Sequence, residues 1–200
     1  MSSYSSPTPS SLFDRGQGTP SSVSTYNPNA PALVAVPLPH GQRSQGPALH
    51  YLLDSGSNKY HTFDTAFPLS YAKLASTINP AVYKDYAISA SITRLRLRVS
   101  AVNLVVDVTN PHHGGVLVED VFRMIFHCLQ QPLSRDAYGS LPVPVREAVD
   151  KAWKHRLQTT TVNKIQGTTR ELAFVDCLGE KSRFFSLSFA RDGVWDVLLY

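Results

Sequence analysis

Three arginines at alternate positions, Arg94, Arg96 and Arg98, form the most distinctive charged pattern in the sequence. Alternate side chains of a β-strand project from the same face, about 7 Å apart, so the three guanidinium groups would form one row. Because a guanidinium donates paired hydrogen bonds to phosphate or carboxylate, this row is a candidate anion-binding site. The favoured alternative is a solvated face of a sheet, on which acidic side chains of a neighbouring strand, such as Asp107, neutralise the arginines.

Four further polar residues adjoin apolar segments and are candidates for acid–base chemistry. They are His50, Asp64, Asp107 and Asp176. Two carboxylates that meet in one cleft can act as general acid and general base. Isolated aspartates more often cap turns or pair with arginine, and Arg156 and Arg170 are natural partners in this sequence. A structural ion pair is therefore the favoured role.

Neither a metal nor a cofactor is predicted. His112 and His113 adjoin two glycines, but no cysteine or acidic residue stands at a ligand spacing from them, which favours an exposed loop. A thiol, Cys128 or Cys177, could serve as a nucleophile with His50 and Asp64, but no local motif supports that arrangement. The motifs GxGxxG, GxxxxGK[ST], GxSxG and HExxH are also missing, so no catalytic residue is assigned.

Hydrophobic periodicity predicts the elements that would position these residues. Residues 91–99 alternate between apolar and charged side chains, which predicts a strand, and residues 101–108 predict its antiparallel neighbour. Residues 118–130 have the apolar spacing of a helix. A second helix is predicted from Pro142 or Pro144 to about residue 160. Its expected buried stripe consists of Val145, Val149, Ala152, Trp153 and Leu157.

The order of the elements predicts the fold class. After the two helices, residues 171–178, 184–190 and 194–200 are predicted to form three strands. Strands on both sides of a helical region predict an α+β fold, in which an antiparallel sheet carries two main helices on one face. Residues 1–46 are rich in serine and proline and predict a disordered tail, followed by a globular domain over residues 47–200. Within the tail, the apolar residues 30–39 are either a plain linker or an ordered arm.

A series of short motifs runs in order from residue 48 to residue 200. The motifs are residues 49–53 (LHYLL), Phe63-Asp64, 116–121 (VLVEDV), 129–134 (LQQPLS), Arg156, 167–170, 175–178 and 184–187. In this order they resemble a domain of unknown function from mushroom-forming (basidiomycete) fungi, which usually follows a Ser/Pro-rich tail. The sequence departs from that pattern at Leu117, Cys177 and Ser186, where a threonine, an aromatic residue and a glycine are usual. The resemblance implies a fold and an origin, because that family has no assigned chemistry.

Composition narrows the class of function. The net charge of +4 comes mainly from scattered basic residues, which disfavours a dedicated nucleic-acid binder. No secretion signal and no membrane span is evident, and two cysteines suit the cytoplasm or nucleus. We therefore expect an intracellular, non-enzymatic protein-interaction module. The alternatives are an enzyme of unrecognised type with a carboxylate or thiol site, and a weak anion or nucleic-acid binder that uses the three arginines. The sequence indicates no oligomeric state.

Overall fold

A computed structural model describes residues 48–89, 92–110, 114–190 and 192–200. Its strands are β1 (His61–Thr62), β2 (Lys73–Leu74), β3 (Arg94–Val99), β4 (Leu104–Thr109), β5 (Phe184–Phe189) and β6 (Trp195–Leu199). Its α-helices are α1 (Val118–Leu129), α2 (Arg135–Ser140) and α3 (Val143–Val162). The predicted α+β class is confirmed. The predicted tail, the apolar stretch at residues 30–39 and the histidine pair at residues 112–113 lie outside the described residues.

The main sheet is mixed, with the strand order β4-β3-β6-β5. β3 pairs with β4, and β5 with β6, in the predicted antiparallel sense. The central pair differs from the prediction, because β3 and β6 are parallel, with Leu97 opposite Trp195. A parallel pair requires a long crossover connection, and the chain between β3 and β6 contains all three α-helices. The two-residue strands β1 and β2 form a separate antiparallel pair.

Helix α1 supplies the centre of the hydrophobic core. The apolar stripe that its sequence predicts is buried, and the buried members are Val118, Val121, Phe122, Ile125, Phe126 and Leu129. The Phe122 ring makes edge-on contacts with the rings of His61, Phe63 and Phe184, at centroid distances of 5.0 Å each. At the start of the helix, the Asp120 carboxylate accepts the backbone N–H of Leu117 at 3.0 Å. This bond satisfies one of the free donors that every helix start leaves.

Helix α3 differs from the prediction in what it buries. Of the predicted stripe only Val149 is fully buried, and Arg156 is the other buried residue of the helix. The cause lies in its partner, because α3 packs against the 3-10 helix Phe174–Leu178, which occupies part of the predicted strand 171–178. That segment curls into a helical turn where the Asp176 carboxylate accepts the backbone N–H of Ala173 at 2.9 Å. A polar packing surface thus replaces the apolar one expected from the sequence.

Candidate functional site

The arginine row, Arg94, Arg96 and Arg98, lies along one side of β3, away from the buried Leu95, Leu97 and Val99. Arg94 Nη2 donates to Asp107 Oδ2 at 2.6 Å, and Arg96 Nε donates to Asp107 Oδ1 at 2.9 Å. Arg96 stands directly opposite Asp107 in the register of β3 and β4. These hydrogen bonds from the two guanidinium groups hold the pKa of the Asp107 carboxyl well below its usual range.

The third member of the arginine row has partners on and beside β6. Arg98 Nε donates to Asp196 Oδ1 at 2.6 Å, and Arg98 Nη1 donates to Asp192 Oδ2 at 2.9 Å. Each guanidinium group of the row therefore already holds a carboxylate. The three aspartates neutralise the three arginines, so the geometry supports the ion-pair interpretation. Anion binding at the row stays a prediction.

The four polar candidates do not meet in one place. Asp64 and Asp176 line the same cleft, whereas His50 and Asp107 do not line it. His50 Nε2 lies 3.6 Å from Asp85 Oδ2. Burial lowers the pKa of His50, and the neighbouring carboxylate opposes that shift. His50 is therefore part of a local contact away from the cleft.

Asp64 shapes the loop that carries it. Its Oδ1 atom accepts the hydroxyl of Ser182 at 2.8 Å and the backbone N–H of Ala66 at 3.0 Å. The first bond ties this loop to the segment that leads into β5. One oxygen of the carboxylate is therefore occupied by structural hydrogen bonds.

Asp176 forms a buried ion pair with Arg156, the partner that the sequence suggested. Arg156 Nε donates to Asp176 Oδ1 at 2.8 Å and Nη2 donates to Oδ2 at 2.7 Å, while the two side chains are 3% and 1% exposed. Arg156 also donates to the backbone carbonyl oxygens of Thr169 and Glu171. The pair thereby joins α3 to the segment that follows it. Both charges are fully engaged in holding the fold.

The cleft beside this ion pair has a volume of about 720 Å³ and lies between α3 and the segment that leads into β5. We define the cleft floor by its apolar side chains, which are Ala66, Phe67, Ala148, Ala152, Val175 and Leu178. We define the basic rim as Lys151, His155, Lys181 and Arg183. No member of the basic rim forms a salt bridge with any residue that the structure describes.

The two thiols are poorly suited to nucleophilic chemistry. Burial raises the pKa of Cys128 to about 11, and the Cys128 Sγ donates to the carbonyl oxygen of Ile125 at 3.2 Å. Burial also raises the pKa of Cys177, and the charge of Asp176 adds to that shift. A thiol that stays protonated at neutral pH is a weak nucleophile. Neither cysteine lines the cleft.

No group of three or more histidine, cysteine, aspartate or glutamate side chains in the described part of the chain could hold a metal ion. None of the helices in this part of the chain is long and apolar enough to cross a bilayer.

Residues 61–193 match a family of unknown function, DUF6699. The chain belongs to this family. The matched part of the DUF6699 domain runs from β1 to the turn before β6 and includes both walls of the cleft. The domain of unknown function that the motifs indicated is therefore confirmed, and the match assigns it no chemistry. No curated protein and no solved structure matches the chain.

Sequence reasoning missed the basic rim of the DUF6699 domain. Lys151 and His155 lie on α3, whereas Lys181 and Arg183 follow the 3-10 helix about 30 residues later, beyond any local motif window. The sequence gives one indication of the rim, which is the spacing of Lys151 and His155, since residues four apart on a helix share a face. Only the packing of α3 shows that the two pairs border one cleft.

Proposed function

We propose that this DUF6699 domain is a non-enzymatic module that binds a segment of a partner protein in the cleft. The supporting observation is the cleft itself, with its volume of about 720 Å³, its apolar floor and its basic rim. Ligand sites commonly enclose about 300–1,000 Å³ and combine an apolar lining with a few polar groups. A partner side chain buried on the floor would supply affinity, and the rim would orient the rest of the segment.

The enzyme alternative has less support from the same cleft. Of its two candidate carboxylates, Asp176 is committed to Arg156, and one oxygen of Asp64 accepts hydrogen bonds from Ser182 and a backbone N–H. Both thiols have raised pKa values and lie outside the cleft lining. Most of the candidate groups that would donate, accept or attack are thus engaged in structural bonds or lie outside the cleft.

We also propose that the module acts inside the cell, in the cytoplasm or nucleus. Both cysteines are free, which fits a reducing compartment. An origin in mushroom-forming fungi is proposed on the order of the sequence motifs alone.

The test is selection of random peptides displayed on phage, with the full chain as bait. Ala152 lies on the cleft floor and is half-buried, so Ala152→Trp would fill the cleft. Ala81 is exposed and lies outside the cleft lining, so Ala81→Trp is the matched control. We expect the wild type and Ala81→Trp to enrich the same peptides, and Ala152→Trp to enrich none of them. Enrichment of the same peptides by Ala152→Trp, or no enrichment by the wild type, would contradict the proposal.

A further inference from the structure

We propose that the cleft selects acidic segments, in which aspartate or glutamate residues flank one apolar side chain. This inference rests on the proposed function and adds the chemical class of the partner. It depends on three features of the cleft, namely where its basic groups stand, which of its carboxylates are already paired, and what its floor is made of.

The basic rim places positive charge on both walls. Lys151 and His155 are four residues apart on α3, so their side chains lie on the same face of the helix. Lys181 and Arg183 are two residues apart on the segment that leads into β5, which forms the other wall. A peptide that lies along the floor would therefore have cationic groups on both of its flanks.

The carboxylates of the cleft compensate only part of this charge. Asp176 is paired with Arg156, which leaves Asp64, whose hydrogen-bond donors are neutral, and Glu180 against the three cations Lys151, Lys181 and Arg183. Glu180 is exposed and forms no salt bridge with the described part of the chain. The arginine row shows the contrasting arrangement, because every guanidinium group there holds an aspartate. Unpaired cations around a concave surface favour an anionic ligand.

The floor favours a peptide over a nucleic acid. The cleft has two aromatic residues, Phe67 on the floor and Tyr200 in the lining. The other apolar members, among them Val175 and Leu178, are aliphatic and suit an aliphatic or aromatic side chain. Proteins that bind single-stranded nucleic acid instead present successive aromatic faces on which bases stack. The expected ligand is therefore a short segment with one apolar anchor between acidic residues.

The test compares three fluorescein-labelled peptides by fluorescence anisotropy with the full chain. One peptide has a central leucine flanked by aspartate and glutamate, the second replaces the acids with asparagine and glutamine, and the third keeps the acids and replaces leucine with serine. We expect the first to bind at least about tenfold more tightly than either of the others. Its advantage over the amide peptide should shrink as the ionic strength rises from about 0.05 M to 0.5 M, because salt screens exposed charges.

Two charge-reversal variants locate the effect. Lys151 lies in the cleft lining and Lys154 does not, although both are exposed residues of α3. Lys151→Glu should weaken binding of the acidic peptide about tenfold or more, whereas Lys154→Glu should change it less than about twofold. Far-ultraviolet circular dichroism checks that both variants are folded.

The outcomes separate this inference from the proposed function. If the acidic and amide peptides bind equally well, and Ala152→Trp abolishes the binding of both, the selectivity for acidic segments is wrong. The proposal that the cleft binds a partner segment would still stand. Equal weakening by Lys151→Glu and Lys154→Glu would overturn the acidic selectivity as well, since attraction would then be a property of the whole surface. Competition by an oligonucleotide of equal charge, as effective as the acidic peptide, would assign the cleft to nucleic acid instead.

Discussion

Removing one partner of the buried ion pair between Arg156 and Asp176 should destabilise the domain strongly. Arg156→Met keeps most of the apolar stem of the side chain but removes the counter-charge of the buried Asp176 carboxylate. Of the hydrogen bonds described above, that carboxylate then keeps only the one from the backbone N–H of Ala173. Asp176→Asn leaves the guanidinium group buried without a counter-charge. With the side chains only 3% and 1% exposed, water has almost no access to the charge that remains. Breaking such pairs costs about 3–5 kcal/mol, and we expect each single variant to lose that much.

The double variant Arg156→Met with Asp176→Asn should lose less than the sum of the two single losses. Neither side chain then carries a charge, so the largest penalty disappears. What stays lost is the set of hydrogen bonds from Arg156, including those to the carbonyl oxygens of Thr169 and Glu171. We therefore expect a coupling free energy of at least about 2 kcal/mol in the double-mutant cycle.

Urea unfolding followed by tryptophan fluorescence measures these losses. The chain has two tryptophans, Trp153 on α3 and Trp195 on β6, so the signal covers both the helix and the sheet. Arg123→Met is the control. Arg123 is exposed and lies 3.5 Å from Glu119, which keeps Lys84 as a second partner, and pairs of this kind contribute about 0–1 kcal/mol. Should a single variant fail to fold, Arg156→Lys retains the charge and gives a milder, measurable loss. Single losses below about 1 kcal/mol, or strictly additive losses, would refute the reasoning.

Two further predictions concern buried groups that titrate. His61 donates from Nε2 to the carbonyl oxygen of Leu52 at 2.8 Å, and burial lowers its pKa from 6.5, so the folded state binds fewer protons than the unfolded chain. Its contribution to stability is therefore complete above about pH 6.5 and falls as the pH drops towards the lowered folded pKa. In urea unfolding at both ends of that pH window, His61→Gln should reduce the loss of unfolding free energy on acidification. The same change at the exposed His127 should not reduce that loss. Cys128, whose pKa is raised to about 11 by burial, should resist a thiol reagent at neutral pH in the folded Cys177→Ser variant and react fully in denaturant. Native labelling at the rate of a free cysteine would contradict that assignment.

Local periodicity was sufficient to predict β3, β4 and α1. In β3 the apolar residues alternate around Leu95 and Leu97, and in α1 they have helical spacing around Phe122. In each element one face packs against the core along its whole length, so the pattern indicates that face directly. These residues are buried in the core, so the apolar side chains that form the pattern also stabilise the element by their burial.

Tertiary contacts decided what periodicity could not. Helix α3 presents Arg156 to its neighbour, and a buried arginine in an apolar stripe is invisible to a hydrophobicity pattern until its partner Asp176 is known. The same aspartate turns the apolar run after Glu171 into a helical turn, where strand propensity predicted an extended chain. The cleft depends on both contacts, so its position could not be read from the sequence.

The insertion of β6 between β3 and β5 has a consequence for the way the domain is made. The Leu97–Trp195 pair joins positions about 100 residues apart, and such long-range pairing slows folding. On the ribosome, β3 and β4 emerge long before β6, so one backbone edge of β3 stays unpaired while α1, α2 and α3 are synthesised. A strand with one apolar face and a free backbone edge is a site of aggregation, which the arginine row on the other face of β3 reduces, so a chaperone would be useful in that interval. A domain with this strand order is expected to fold after synthesis of β6 rather than step by step during translation.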